Sequence, residues 1–322
     1  MQSEPTIVFM GTPEIAVASL EAVIHHGCKI SAVVTVPDKP SGRGLHVHQS
    51  PVKECALANN LAVLQPDDLA DPDFIAELNA LHPDIIIVVA FRKLPDVVLN
   101  IPTMGAFNLH ASLLPEYRGA APINWAVING ETETGVTTFF LNSRIDAGKI
   151  ILKRRVALLP EYNASALYDV LKTVGAQAVT DTIEIIKQGN VNVIDQDEIT
   201  DTKALQKKAP KIFKEHCRID WNHKTADIHN RIRGLSLHPG AFTDLISPDG
   251  TVFSLKILFS EIVIKSGTSV PGSIETDGKK HLHVSTIDGY LALKGIQLAG
   301  KKQMNVEEFL RGFRIDNSWH AR

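Results

Sequence analysis

Thr6-Ile7-Val8-Phe9-Met10-Gly11-Thr12-Pro13-Glu14-Ile15 opens with an apolar run that breaks on a glycine and turns into a helical pattern. Apolar residues continue through Val17, Leu20 and Val23-Ile24, along one face of a 3.6-residue period. Thr12 is placed to act as N-cap, with Pro13 at the first helical position. A second apolar run at residues 30–34 completes a βαβ pattern, which implies a parallel sheet with a right-handed crossover.

The alternation resumes with a short strand at 62–64, a helix at 71–81 and a strand at 84–90 whose unbroken apolar run marks cover on both faces. A short helix at 122–128, a strand at 135–141, an extended stretch at 149–156 and a long amphipathic helix at 165–186 follow. The fold class is therefore α/β around a mostly parallel sheet. Neither Gly-x-Gly-x-x-Gly nor a Walker loop occurs, so a dinucleotide or nucleoside triphosphate site has no sequence support.

From residue 190 to about 209 the periodicity fades into polar residues, a linker composition. Beyond it come a helix near 225–233 and strands at 241–245, 251–264, 281–285 and 290–297, separated by Pro-Asp-Gly, Ser-Gly and Asp-Gly turn signals. So many short strands in this space suggest a small barrel. The expected division is 1–204 and 205–322. The charge divides the same way: 15 basic residues against 24 acidic in the first part, net −9, and 18 against 12 in the second, net +6. Such polarity suits a second half that meets a polyanion, and it also suits ordinary surface variation.

Cys28, Cys55 and Cys217 are odd in number and scattered, which encodes neither a disulfide framework nor a zinc ribbon. The longest apolar run, residues 85–91, is far short of the roughly 20 residues of a membrane span. The start lacks a basic, then apolar, leader pattern. A reducing, cytoplasmic compartment is the expectation, with no membrane partner and a monomeric chain.

Chemistry gathers in Phe107-Asn108-Leu109-His110-Ala111-Ser112-Leu113-Leu114-Pro115-Glu116-Tyr117-Arg118-Gly119. Asn108 and His110 are two apart on a strand and emerge on one face. Asp146, after the strand at 135–141, adds a carboxylate at a strand end. An amide donor, a polarising ring and a proton acceptor make an acyl-transfer constellation. Taken singly, Asn108 reads as a turn-capping amide and His110 as a satisfied buried histidine. Arg118 is equally suited to a structural ion pair and to a phosphate contact. The segment 35–53 is rich in Pro and Gly, which excludes regular structure, and it reads either as a mobile loop carrying Lys39, Arg43 and Lys53 to an anion or as a solvated insertion. His46-x-His48 is too isolated for a metal site. His281 and His283 share one face of a strand and read as rim residues rather than ligands; no metal is expected.

The chain resembles the methionyl-tRNA formyltransferases over nearly its full length. Phe-Asn-Leu-His-x-Ser-Leu-Leu-Pro-x-Tyr-Arg-Gly is shared by several folate-dependent formyltransferases, including purine and amino-sugar enzymes, so it speaks for the chemistry and not the acceptor. Gly11-Thr12-Pro13-Glu14, Pro37-Asp38-Lys39-Pro40-Ser41-Gly42-Arg43-Gly44, Arg218-Ile219-Asp220-Trp221 and Gln297-Leu298-Ala299-Gly300-Lys301-Lys302 narrow it. Leu45-His46-Val47-His48 and Ser236-Leu237-His238-Pro239 depart from the usual pattern.

The resemblance implies a Rossmann-like formyltransferase domain followed by a small OB-like barrel that binds tRNA, and transfer of formyl from 10-formyltetrahydrofolate to methionyl initiator tRNA. It implies Asn108, His110 and Asp146 as catalytic, and Ser112, Leu113, Leu114 and Pro115 with Phe91, Arg92 and Leu94 as the folate site. Lys39, Arg43 and Lys53 fall to the tRNA. The rivals are a formyltransferase for an amino-sugar or purine precursor and a non-catalytic tRNA-binding protein.

Overall fold

The computed structural model describes residues 4–41, 46–189, 191–199, 207–236, 238–263 and 269–322. The chain divides into two compact units: residues 1–119, 133–157 and 168–208 form one, and 120–132, 158–167 and 209–322 the other.

In the first unit β1 (Thr6–Gly11), α1 (Glu14–His25) and β2 (Lys29–Val34) form the expected βαβ start, β1 and β2 pairing in parallel. The helix begins later than its sequence signal. Pro13 takes the N-cap position in extended backbone without a capping side chain, so Thr12 does not cap it.

The segment after β2 is more regular than its composition suggests. β3 (Lys39–Ser41) and β4 (His46–His48) make an antiparallel hairpin. Pro40 is tolerated because an isolated two-stranded hairpin has edges on which a missing N–H costs no ladder bond. α2 (Pro51–Ala58) follows, with the Ser50 hydroxyl accepting the Lys53 N–H at 3.1 Å. Next come β5 (Val63–Leu64), α3 (Pro72–Ala80), β6 (Ile85–Val89), α4 (Asp96–Leu99) and β7 (Ala106–His110). Asp71 stands just outside α3 as its cap, accepting from the N–H groups of Asp73 and Phe74.

After β8 (Arg118–Gly119) and α5 (Pro122–Ile128), the strands β9 (Glu133–Phe140) and β10 (Ile150–Ala157) each add antiparallel to their neighbour, and α6 (Ala164–Lys187) follows. The sheet order is β10-β9-β7-β6-β1-β2-β5. The order reverses at β1, so the crevice outside the carboxyl ends of β1, β6 and β7 is where a ligand belongs. Gly11 ends β1 where a Cβ would come 2.7 Å from the Ala16 Cβ and 3.1 Å from the Val89 carbonyl oxygen, which accounts for the glycine there.

Beyond α7 (Gln196–Ile199) and β11 (Lys208–Ala209), the second unit contains α8 (Thr225–Leu235), β12 (Ala241–Ile246), β13 (Val252–Val263), β14 (Ile274–Thr276), β15 (Leu282–Ser285), β16 (Tyr290–Leu298), β17 (Met304–Asn305), α9 (Val306–Gly312) and β18 (His320–Ala321). The order β14-β15-β16-β13-β12-β18 is nearly closed, since a bridge between Ser273 and His320 brings its two ends together. Ile219, Trp221, Leu245, Leu255, Ile257, Leu291 and Phe309 help fill it. α5 packs on α8 within this unit: a Cβ on Gly234 would lie 2.6 Å from Ile128, and the Asn124 amide donates to the Gly234 carbonyl at 2.8 Å.

Candidate active site

β7 ends on His110. Phe107 and Leu109 are buried, while Asn108 and His110 emerge together on the other face, as a period of two requires. The imidazole Nε2 lies 2.9 Å from the Tyr117 carbonyl oxygen. A carbonyl only accepts, so Nε2 carries the hydrogen and the ring is oriented by that bond. Nδ1 is left facing Asp146 Oδ2 at 3.9 Å, within ion-pair range and beyond hydrogen-bond reach. Asp146 Oδ2 also accepts the Gly119 N–H at 3.0 Å. Asp146 Oδ1 and the Asn108 amide have no hydrogen-bond partner among the described residues. His110 and Asp146 thus face each other at the end of β7, with Asn108 on the same face of the strand as His110.

The backbone around them is held in conformations that L-residues resist. Tyr117 has φ +60° and Asp146 +49°. Each costs on the order of 1–3 kcal/mol and persists only where surrounding contacts over-determine it. Those contacts are present: the Tyr117 N–H donates to the Lys207 carbonyl at 2.7 Å, and the Gln196 side-chain amide donates to the carbonyls of Asp146 at 3.1 Å and Gly148 at 2.7 Å. Gly148 is obligatory, since a Cβ there would sit 1.7 Å from the Phe140 carbonyl oxygen.

Gln196 is the residue that sequence reasoning missed. It is 1% exposed and lies within the stretch read as a linker. Residues 191–199 of that stretch are held by α7, by the Ile150–Ile194 bridge and by the bonds of Gln196. A single glutamine among polar residues carries no periodic signal; Ile194 is the one apolar hint beside it. Arg118 donates through Nε and Nη2 to the Gln196 Oε1 at 3.0 and 2.6 Å, so in this structure its partner is an amide rather than a carboxylate.

The turn after β7 packs inward. The Ser112 hydroxyl donates to the Glu116 carbonyl at 2.7 Å, and Thr137 Oγ1 donates to the Ser112 carbonyl at 2.6 Å while accepting the Leu114 N–H at 3.1 Å. Ser112, Leu114 and Pro115 are buried and Leu113 is half-buried. At the end of β6, the backbone groups of residues 91–94 make no hydrogen bond with another described residue, and they adjoin a 400 Å³ cleft lined by residues 67–70 and 92–95. Leu94 is buried there, Arg92 holds the carbonyls of Pro66 and Asp67 at 2.7 Å each, and its buried Nε has no partner among the described residues.

Of the three cations assigned to tRNA, Lys39 is exposed, and Arg43 lies outside the described residues. Lys53 is committed within the unit, its ammonium donating to Asp38 at 2.5 Å and to Gln65 at 2.8 Å. Lys53, together with Gln65, holds the Asp38 carboxyl below the usual carboxylate range.

In the second unit an 850 Å³ groove is lined by Lys214, Arg218, His238, Lys256, Gln297 and Gly300 among others. Two separated sequence motifs meet here. Within the first, Ile219 and Trp221 are core, Trp221 donating to Thr243 Oγ1 at 3.0 Å, and Arg218 reaches Asp244 and the Arg322 carbonyl.

Residues 6–183 match the formyl transferase family, and residues 211–314 match the formyl transferase C-terminal domain. Methionyl-tRNA formyltransferase of Parabacteroides distasonis is 50% identical over 309 residues, spanning 96% of this chain and 95% of that protein. The chain belongs to the methionyl-tRNA formyltransferase family. A second member, from Azobacteroides pseudotrichonymphae, is 51% identical over 312 residues, with 96% of each protein covered. In fold, this formyltransferase is also similar to WlaRD, a sugar 3N-formyl transferase solved with dTDP and 5-N-formyl-THF, at a TM-score of 0.62 and 21% identity over 93% of this chain and 100% of that one. Asn108, His110 and Asp146 fall inside the N-terminal match, whereas Gln196 lies between the two matched regions. No helix among the described residues is long and apolar enough to cross a membrane.

Proposed function

We propose that the protein transfers the formyl group of 10-formyltetrahydrofolate to the α-amino group of methionyl initiator tRNA, and that it acts in the cytoplasm as a monomer. The observation that carries this is the approach of His110 and Asp146 at the end of β7, with Asn108 on the same strand face as His110, in a chain half identical, over almost its whole length, to methionyl-tRNA formyltransferases. The folate is a cosubstrate, and the residues present suit it. The backbone donors and acceptors of 91–94, unpaired among the described residues, match the edge of a neutral heterocycle, and the adjoining cleft has room for it. In this reading Phe91, Arg92 and Leu94 contribute backbone and packing. Ser112, Leu113, Leu114 and Pro115 shape the turn and do not offer side chains.

The chemistry then follows from the free atoms. The neutral amine attacks the formyl carbon, a C–N bond forms, and negative charge develops on the formyl oxygen. The Asn108 amide and a protonated His110 Nδ1 donate to that oxygen, their positions fixed beforehand by β7 and by the Tyr117 carbonyl. Asp146, held through Oδ2 by the Gly119 N–H, takes the amine proton on Oδ1. Collapse of the tetrahedral intermediate breaks the bond to N10, which leaves with the proton that Asp146 returns.

Residues 1–204, with a linker from about 190, are assigned to formyl transfer and 205–322 to tRNA binding. The net charge of +6 on the second part and its groove with Lys214 and Lys256 support that division. Lys39 and Arg43 are assigned to the acceptor end; Lys53, paired to Asp38, is a support for the hairpin β3–β4. Transfer of radiolabelled formyl to charged initiator tRNA, run beside an amino-sugar nucleotide and a purine-precursor amine as acceptors, tests the reading. Formylation of a small acceptor in preference to the tRNA would overturn it.

A further inference from the structure

We infer that the barrel carries a binding site for a divalent transition ion, Zn²⁺ by its donor set, formed by Glu275, His281 and His283. The three belong to one hairpin. Glu275 and His283 are directly opposed across the β14–β15 ladder, and His281 stands two residues before His283, on the same face. Their neighbours Ile274, Leu282 and Val284 point into the barrel, so the alternation sends all three donors outward together.

One ligand atom from each residue lies within 4.8 Å of the other two, and the imidazole centroids are 4.8 Å apart with planes inclined at 34°. Tetrahedral zinc with bonds of about 2.0–2.1 Å needs donors roughly 3.3–3.5 Å apart. The side chains are 33%, 40% and 19% exposed for Glu275, His281 and His283, so χ rotation can close that gap without disturbing the core.

A fourth group marks the cluster as built rather than incidental. Asp277 accepts the N–H groups of Lys279, Lys280 and His281 through Oδ1, at 2.9, 2.7 and 3.1 Å, which fixes the turn that delivers His281. Its Oδ2 lies 3.3 Å from His281 Nδ1. A carboxylate at Nδ1 favours the tautomer with the proton on that nitrogen and leaves Nε2 as the donor to a metal, the outer-shell arrangement found behind metal-bound histidines. Two imidazoles and one carboxylate suit Zn²⁺ and its first-row neighbours, and three protein ligands leave a coordination position open to water. The bound ion would clamp β14 to β15, next to the Ser273–His320 bridge that joins the ends of the sheet.

The test uses the full chain, stripped with a chelator and titrated with zinc chloride against a chromogenic competitor. One zinc per chain with micromolar affinity is expected, with a rise in Tm and, for cobalt, the visible absorption of a low-coordinate site. Asp277→Asn weakens zinc by about 10–100-fold. His281→Gln, His283→Gln and Glu275→Gln each weaken it by more than that, with the metal-free Tm unchanged because the three side chains lie outside the core. Unaltered zinc affinity in the His281→Gln/His283→Gln double variant, meaning an ion held elsewhere, would overturn the site. So would a wild-type chain that takes up no zinc, or a metal-free Tm that falls along with affinity.

Discussion

His110 is the residue on which the site turns, and its two nitrogens have different work. Nε2 is spent on the Tyr117 carbonyl, so any exchange with substrate passes through Nδ1, opposite Asp146. Removing one preorganised donor typically costs on the order of 3–4 kcal/mol of transition-state stabilisation. Asn108→Ala should therefore lower kcat by about 10²–10³-fold, and Asp146→Asn, which removes the proton acceptor, by about 10²–10⁴-fold, while tRNA affinity and Tm stay near wild type; near-normal turnover in both would remove them from the mechanism. Gln196 makes no contact with the reacting atoms in this scheme and acts by holding the Asp146 loop. Gln196→Ala should lower kcat by about 10–100-fold, the scale of a small misplacement of catalytic groups, with KM for tRNA little changed. A rise in KM at constant kcat would instead make Gln196 a binding residue.

Elements set these residues through tight backbone approaches. The β9–β10 connection runs against β9 so closely at Gly148 that no side chain fits below the Phe140 carbonyl. Gly148→Ala should cost about 1–3 kcal/mol, the range for overpacking a rigid site, read as a lower urea midpoint, and should reduce kcat because Asp146 moves with the loop. A Gly148→Ala enzyme of unchanged midpoint would show that the approach is not rigid. The base of the β3–β4 hairpin depends on charge. The Asp38 pKa is depressed by Lys53 and Gln65, so the stabilisation is present above the unfolded carboxylate pKa of about 3.9 and is lost as pH falls through the lower folded value. The stability difference between wild type and Asp38→Asn should accordingly be present at neutral pH and vanish in acid below that range. A difference that persists there would point to packing rather than charge.

On the scale of the whole molecule, the two compact units are interleaved in sequence: residues 120–132 and 158–167 belong to the unit that holds the barrel. On the proposed assignment of the basic second part to tRNA, the encounter with tRNA should be salt-dependent, because each phosphate neutralised releases condensed counterion. Arg43→Ala should lower kcat/KM for methionyl-tRNA by about 10-fold at low salt, the scale of one charge-assisted contact, with less effect at high salt and folate affinity unchanged. Equal kcat/KM for variant and wild type at both salt concentrations would make the segment that carries Arg43 a solvated insertion.

The βαβ start, the buried strand at residues 85–89, the polar face of Asn108 and His110 and the turn-punctuated barrel were legible in the sequence, because each rests on a short-range period or on turn chemistry that neighbouring residues carry by themselves. The hairpin in the Pro- and Gly-rich segment was not, since pairing across a turn is a relation between strands rather than a composition. The pairing of α5 with α8 likewise rests on Gly234 meeting Ile128, more than a hundred residues away. Only the tertiary structure decided what Gln196, Arg118 and Lys53 do: each is a polar side chain whose role is set by partners distant in sequence, and local pattern does not encode which buried carbonyl or carboxylate will need a donor.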